Sequence, residues 1–207
     1  MVTQALIGAM VETYPMAGNA ADVQPHQDNV RLDARLAAKT GQTLAVEYRL
    51  SNLGTEAIFV LDNLLNRNDP RMGPDVTRSY TLLSGAGELV LFRGLLPVPE
   101  GLQVESPEVP YAQPLAAGQT VTRSFEFPAK LRSDHPYDDV SKAEVIEIRS
   151  LSLSVGFVAA SLVEGLGQDV ERAGQMFRRF SYRELIGHQM TVSTGLGPVD
   201  MQLVRWP

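Results

Sequence analysis

The chain is expected to fold as an all-β, two-sheet antiparallel sandwich, and three observations predict it. Apolar and polar residues alternate in short segments, most clearly Leu44, Val46, Tyr48 and Leu50 against Ala45, Glu47, Arg49 and Ser51. A period of two marks a strand with one buried face. Turn residues separate these segments, and no amphipathic stretch reaches the ~12 residues of a convincing helix. Strands joined by turns select a sandwich or barrel over a parallel sheet with crossover helices.

Residues 1–28 read as an irregular lead-in packed on a sandwich that fills 29–207. Within the lead-in, Ala5 to Val11 is apolar, but no Lys or Arg precedes it and Glu12 follows directly. A signal peptide needs a positive start and a longer apolar core, so a strand or short helix is expected there. Val30, Leu32, Ala34 and Leu36 then alternate with Arg31, Asp33 and Arg35. The turn Lys39-Thr40-Gly41-Gln42 leads into the strand at 44–50. Asn52-Leu53-Gly54-Thr55 closes that strand with residues that tolerate positive φ, and Ile58–Leu61 is a strand covered on both faces. Residues 62–76 read as a loop, and 80–83 and 89–92 flank Ser84-Gly85-Ala86-Gly87-Glu88 as a hairpin.

Residues 95–114 carry five prolines. Proline lacks the N–H that a central ladder needs, so this stretch is expected to cross from one sheet to the other. A turn at Leu115–Gln119 precedes a strand from Val121 to Phe127. In Val145–Val158 the apolar parity changes after Ile146 and Ile148 to Leu151, Leu153, Val155 and Phe157, which predicts a bulge near Arg149-Ser150. Residues 164–175 are Gly-rich and polar, with a helical turn expected near Gln168–Met176. Short strands are expected at 177–182, 190–194 and 201–206.

Composition excludes several functions. Hydrophobic residues are 44% and charged residues 20%, a globular balance. The net charge of −6, with 15 Arg and 3 Lys and no basic tract, lacks the positive footprint that a nucleic acid or anionic membrane surface requires. No apolar run approaches the ~20 residues of a membrane-spanning helix. Cysteine is absent, which removes disulfides, thiolate chemistry and Cys-ligated metal. The compartment and oligomeric state stay open, and an extracytoplasmic place, periplasmic or secreted, is the expectation carried forward.

Five candidate sites stand out. Asp134-His135-Pro136-Tyr137-Asp138-Asp139 brings carboxylates and an imidazole together, as a hydrolase or a calcium site would need; a solvated connector is the simpler reading. Asp62-Asn63-Leu64-Leu65-Asn66-Arg67-Asn68-Asp69 has alternating oxygen donors, yet Asn and Asp also make turns, and no glycine occupies the sixth position of a calcium loop. The three histidines, His26, His135 and His188, belong to none of the G-x-S-x-G, H-E-x-x-H or G-K-[ST] motifs. Glu105 with Glu108 or Glu126 offers a carboxylate pair whose separation decides its chemistry. The arm Gly94-Leu95-Leu96-Pro97-Val98-Pro99 is apolar and stiff, and aromatic or Pro-rich loops on a rigid sandwich suit recognition. The same leucines also suit capping the core.

Leu-Ala-Val-Glu-Tyr-Arg-Leu-Ser-Asn-Leu-Gly-Thr-Glu-Ala-Ile-Phe-Val-Leu at 44–61 resembles the start of bacterial immunoglobulin-like or fibronectin-like domains, and 115–127 is similar to a later stretch of them. The cysteines and core Trp of antibody domains are missing; Trp206 is next to last. The resemblance implies an immunoglobulin-like sandwich and no activity. The expectation is therefore a non-catalytic module that binds a protein or small ligand through Leu95, Leu96, Val98, Tyr111, His135 and Tyr137, with no cofactor and no metal. The alternatives are an uncommon hydrolase using His135 with its neighbouring aspartates, and a calcium-stabilised structural domain.

Overall fold

The computed structural model describes residues 29–40, 43–85, 87–138 and 143–206. The lead-in 1–28 and the turn residues Gly41 and Gln42 lie outside them. Strands β1 (Val30–Thr40), β2 (Thr43–Asn52) and β8 (Thr120–Pro128) form a three-stranded antiparallel sheet in the order β1-β2-β8. Leu44, Val46, Tyr48 and Leu50 are all buried on its inner face, opposite Phe127, Phe125, Arg123 and Val121 of β8. The alternation read from the sequence is thus the two faces of this sheet.

The second, larger sheet is built on β10 (Glu144–Ala159). Along one side β10 pairs antiparallel with β13 (Met190–Arg205). Its other side is shared. β6 (Glu88–Arg93) runs parallel to Ser150–Val155, and β3 (Ile58–Leu65) runs antiparallel to Phe157–Ala159. β5 (Tyr80–Ser84) forms the hairpin with β6, and β4 (Pro74–Asp75) pairs with the end of β3. β7 (Tyr111–Leu115) pairs with β3, and β9 (Lys130–Arg132) adds parallel to β13. Leu89, Leu91, Ile148, Leu151, Leu153, Val155 and Phe157 meet the inner face of the first sheet in one core. The molecule is an all-β sandwich of two mostly antiparallel sheets.

The expected bulge falls where the parity changes. The β10–β13 register shifts between Ile148 and Ser150, and the N–H groups of Arg149 and Ser150 both donate to Gly87 O, at 2.8 and 3.2 Å. Two donors on one carbonyl are what an extra residue in the strand produces.

Four expectations are corrected. The Pro-rich stretch 95–114 does not cross between the sheets, because β6 before it and β7 after it both belong to the larger one. The helical turn near 168–176 is instead a hairpin of β11 (Gln168–Arg172) and β12 (Gln175–Arg179). Its turn residues Ala173 and Gly174 sit at φ 49° and 74°, the twist that suits a tight hairpin. The helix lies later, as α1 (Tyr182–Ile186), closed by a reciprocal capping box between Ser181 and Glu184. The loop at 62–76 is shorter than expected, because β3 runs on to Leu65. The two separate tail strands are one, β13.

Asn52 does more than end β2 at a turn. The chain passes between the sheets three times, and two of these corners, from β2 to β3 and from β7 to β8, meet at one residue. Buried Asn52 ties both corners. Its Nδ2 donates to Glu56 O at 2.8 Å and Leu115 O at 3.1 Å, and its Oδ1 accepts from Gly54 N–H at 3.1 Å. Its backbone bonds Gln119 O and Gly118 N–H. Gly54 does not have positive φ. It is needed for closeness, since a Cβ there would stand 3.3 Å from Asn29 Cβ and Asn52 Oδ1.

Candidate functional site

The Pro-rich arm is fastened to the body by polar side chains. Gln189 Oε1 accepts from Leu95 N–H at 2.6 Å, and its Nε2 donates to Leu95 O at 3.0 Å. Val98 N–H donates to Tyr182 Oη at 2.8 Å. Gly156 admits the Gln189 side chain, because a Cβ on it would stand 2.5 Å from Gln189 Oε1 and 3.1 Å from Gly94 Cα.

This anchoring decides where the expected binding residues lie. Leu95 is buried against Leu61, Val158, Phe180 and Leu185. Tyr111 is buried with Leu65 and Phe177, under the guanidinium of Arg179. Leu96 is buried with Leu64, Tyr80 and Phe92, and half-buried Tyr137 packs on the same cluster. The side chains of Leu95, Leu96 and Tyr111 therefore cap the core between elements. Val98, His135 and Tyr137 are half-buried. Segments 94–114 and 134–138 do share a locality, joined by Leu96 with Tyr137 and by an ion-paired cluster.

That cluster has Arg78 at its centre. Arg78 Nε and Nη2 donate to the two oxygens of Asp134 at 2.6 and 2.9 Å, and Nη1 donates to Leu65 O at 2.7 Å. Its Nη2 is also 3.1 Å from Glu108 Oε2. Arg67 bridges the same two carboxylates, at 2.5 Å to Glu108 and 3.1 Å to Asp134. Tyr80 Oη donates to Glu108 Oε2 at 2.7 Å. Burial pushes the Glu108 carboxyl up, but hydrogen bonds from Arg67 and Tyr80 and the Arg78 charge outweigh it and hold it below its usual range. Burial, then the bond to Glu108, pushes the Tyr80 phenol well up. A planar guanidinium meeting a carboxylate through two bonds is a rigid contact. It fixes the 77–81 segment against the 133–135 segment, reinforced by Asp134 N–H donating to Thr81 Oγ1 at 2.8 Å.

Beside this frame lies a cavity of about 220 Å³, lined by Thr77, Arg78, Ser79, Thr81, Leu91, Phe125, Phe127, Leu131, Arg132 and Asp134. It runs along β8, an outer strand of the first sheet, where that strand faces β5, β6 and β9 of the second. Leu91, Phe125 and Phe127 belong to the main core and give it an apolar floor. Ser79 Oγ is buried and finds no hydrogen-bond partner among the described residues. Leaving a buried hydroxyl unpaired costs about 1–3 kcal/mol. Arg132 is exposed and makes no ion pair among the described residues.

Behind the Phe125 ring is a second polar group. Arg93 is fully buried, with its guanidinium carbon 4.9 Å from the Phe125 centroid and 5.5 Å from that of Tyr48. Its Nη2 donates to Asp62 O at 2.7 Å and Val76 O at 2.5 Å, so it pins the chain just before the cavity wall. Asp62, also fully buried, accepts from Tyr48 Oη and Asn63 Nδ2, each at 2.6 Å, and lies 3.4 Å from Arg123 Nε.

The oxygen donors of 62–69 do not converge. Asp62 is in the core, whereas Asp69 caps a surface turn through the N–H groups of Arg71 and Gly73 at 2.9 and 3.1 Å. Around His135, Asp134 is held by arginines, and Asp138 is held by both Nε and Nη2 of Arg205. Asp139 lies outside the described residues. Desolvation lowers the affinity of His135 for a proton, and the Arg205 charge adds to that, against opposing pulls from Asp138 and Asp134. Its Nδ1 accepts from Tyr137 N–H at 3.2 Å. Among the described residues no group of three or more His, Asp or Glu is placed to hold a metal ion, and no helix is long and apolar enough to cross a membrane.

The residues missed in sequence are Arg78, Ser79, Thr81, Leu131 and Arg132, with Phe125 and Phe127 read only as core. No local pattern marks them, since they come from three strands and one loop. The class defined by fold and site is an all-β sandwich with a lateral, apolar-floored cavity. No family model, curated protein or solved structure matches the chain.

Proposed function

We propose that this chain is a non-catalytic binding module of immunoglobulin-like type, and that its site is the cavity along β8. One observation carries the reading: a cavity with an apolar floor of Leu91, Phe125 and Phe127 is walled by Arg78 and Asp134, which a two-bond ion pair holds rigid. Concave sites with apolar linings and a few fixed polar groups are the usual form of small-ligand pockets. The resemblance of 44–61 and 115–127 to bacterial immunoglobulin-like domains supports the same class. The hydrolase alternative draws less support, because the carboxylates flanking His135 that are described are both committed to arginines.

A fragment screen read by backbone amide shifts tests the proposal. Binders are expected to move the amides of Thr77–Thr81, Phe125–Phe127 and Leu131–Arg132. Leu131→Trp, which fills the cavity, should abolish those shifts, and Leu131→Ala, which enlarges it, should retain binding. Shifts that map elsewhere, or that survive Leu131→Trp in a folded variant, refute the site.

A further inference from the structure

We infer that β8 is the edge by which two copies of this chain pair, strand against strand, about a two-fold axis at Ser124. The ladder leaves that edge open. Asn52 N–H donates to Gln119 O at 2.9 Å, and bonded and non-bonded pairs alternate along an antiparallel ladder. Val121, Arg123, Phe125 and Phe127 therefore bond β2, whereas Thr120, Thr122, Ser124 and Glu126 turn their N–H and C=O groups away from it. Among the described strands β2 is the one hydrogen-bonded neighbour of β8, and the side chains of those four residues are exposed. Unpaired edges are normally shielded, and the other end strands here are. β1 carries a register shift after Leu36 and packs along β13. β5 is closed by Thr81 N–H on Asp134 O at 3.0 Å. β9 is 3 residues long, and β11 carries Asp169, Glu171 and Arg172 in 5 residues. β8 runs for 9 residues with no register shift and no lysine, and its proline stands last. Its inward charge, Arg123, is taken up by Asp62 and Gln113.

The sequence of the strand selects a second copy as the occupant. Laid antiparallel on itself over its full length, β8 sets Ser124 opposite Ser124 of the partner subunit, Thr122 opposite the partner's Glu126 and Val121 opposite the partner's Phe127. Thr122, Ser124 and Glu126 then exchange both backbone bonds across the axis. Glu126 meets a hydroxyl, and half-buried Val121 gains an aromatic neighbour. One Arg and one Glu make the strand neutral in a chain of net charge −6. Other registers lose contacts. Centring on Arg123 or Glu126 sets like charges directly opposite each other. Centring on Phe125 places Pro128, which has no N–H, against Thr122. Centring on Thr122 leaves residues 125–128 beyond the partner strand. A symmetric, self-complementary contact of this kind closes as a dimer.

Sedimentation of the full chain over a wide range of concentration tests the inference. A monomer–dimer equilibrium is expected, and the amides of Thr122, Ser124 and Glu126 should slow in hydrogen exchange as the dimer forms. Ser124→Lys and Ser124→Glu each set a like charge on itself across the axis, at a position whose exposed side chain the fold does not use. Each variant alone should dimerise several-fold more weakly than the parent, and an equimolar mixture of the two should regain at least the parental affinity. A parent that stays monomeric throughout overturns the inference, as does a mixture no tighter than its two components. Amides already protected in the monomer overturn it as well, because another segment of the same chain then covers the edge.

Discussion

Asn52 Nδ2 donates to Leu115 O across 3.1 Å, joining the end of β2 in one sheet to the end of β7 in the other. The same amide also serves Glu56 O and Gly54 N–H, so one buried side chain satisfies backbone groups at two of the three sheet-to-sheet corners. Asn52→Ala would leave these groups unpaired away from water. A loss of about 2–4 kcal/mol is expected, given about 1–3 for each unsatisfied buried group and partial relaxation. Denaturant unfolding measures it. A change below the error of the midpoint would show that the corners are held by packing alone.

Tyr48 and Asp62 form the second tie between sheets, a 2.6 Å bond with both side chains buried. Burial and then the Asp62 charge push the phenol well above its usual range, so it stays protonated and donating. Tyr48→Phe keeps the ring over Arg93 and removes only the donor. A cost of roughly 1–3 kcal/mol follows for a buried carboxylate that loses a hydrogen bond. Thermal melts should show roughly 2–4 °C lost per kcal/mol for a chain of this size. A melt equal to that of the parent would mean Arg123 and Asn63 suffice for Asp62.

Glu108 makes stability depend on acid. Its folded-state carboxyl is held below the ordinary value by Arg67, Tyr80 and Arg78 against the opposing effect of burial. A group with a depressed folded pKa contributes stability above its unfolded pKa, about 4.3 for Glu. That contribution is lost as pH falls through the lower folded value. Melting temperature should therefore fall below about pH 4.3, and less steeply in Glu108→Gln than in the parent. Parallel pH profiles would remove Glu108 from the acid response.

His135 titrates in the opposite chemical sense but with the same sign for stability. Desolvation and the nearby Arg205 depress its affinity for a proton. The neutral ring is favoured in the folded state, so its stabilising contribution is present above the unfolded value of about 6.5 and is lost as pH falls through the folded one. Its ring proton resonances should titrate with a midpoint below about 6.5, and Arg205→Gln should move that midpoint upward. A midpoint at or above the ordinary value contradicts the burial of the ring.

The chain's local patterning made the strands legible, because burial of alternate residues is a property of each strand alone. Leu44 to Leu50 gave β2 both its faces, and the parity change between Ile148 and Leu151 pointed to the first of the two register shifts in β10, the one between Ile148 and Ser150. The same logic failed at 168–176, where hairpin and helical turn share the same Gly-rich, polar composition until Ala173 and Gly174 adopt positive φ.

The candidate site was legible only in fragments. Tyr137 and His135 lie beside the ion-paired frame, as their clustering in sequence suggests, but of the two readings open for the arm the structure takes core-capping for Leu95, and Tyr111 is buried with it. Leu95 is gripped by Gln189, nearly a hundred residues away in sequence, and Tyr111 is packed by Leu65 and Phe177. Local sequence decided that this protein is an all-β sandwich, since hydrophobic alternation acts over a few residues. Tertiary structure decided where it can bind. The cavity needs Thr81, Phe125 and Leu131 side by side, and only the packing of β8 over β5, β6 and β9 across two sheets, locked by Arg78 on Asp134, brings them together.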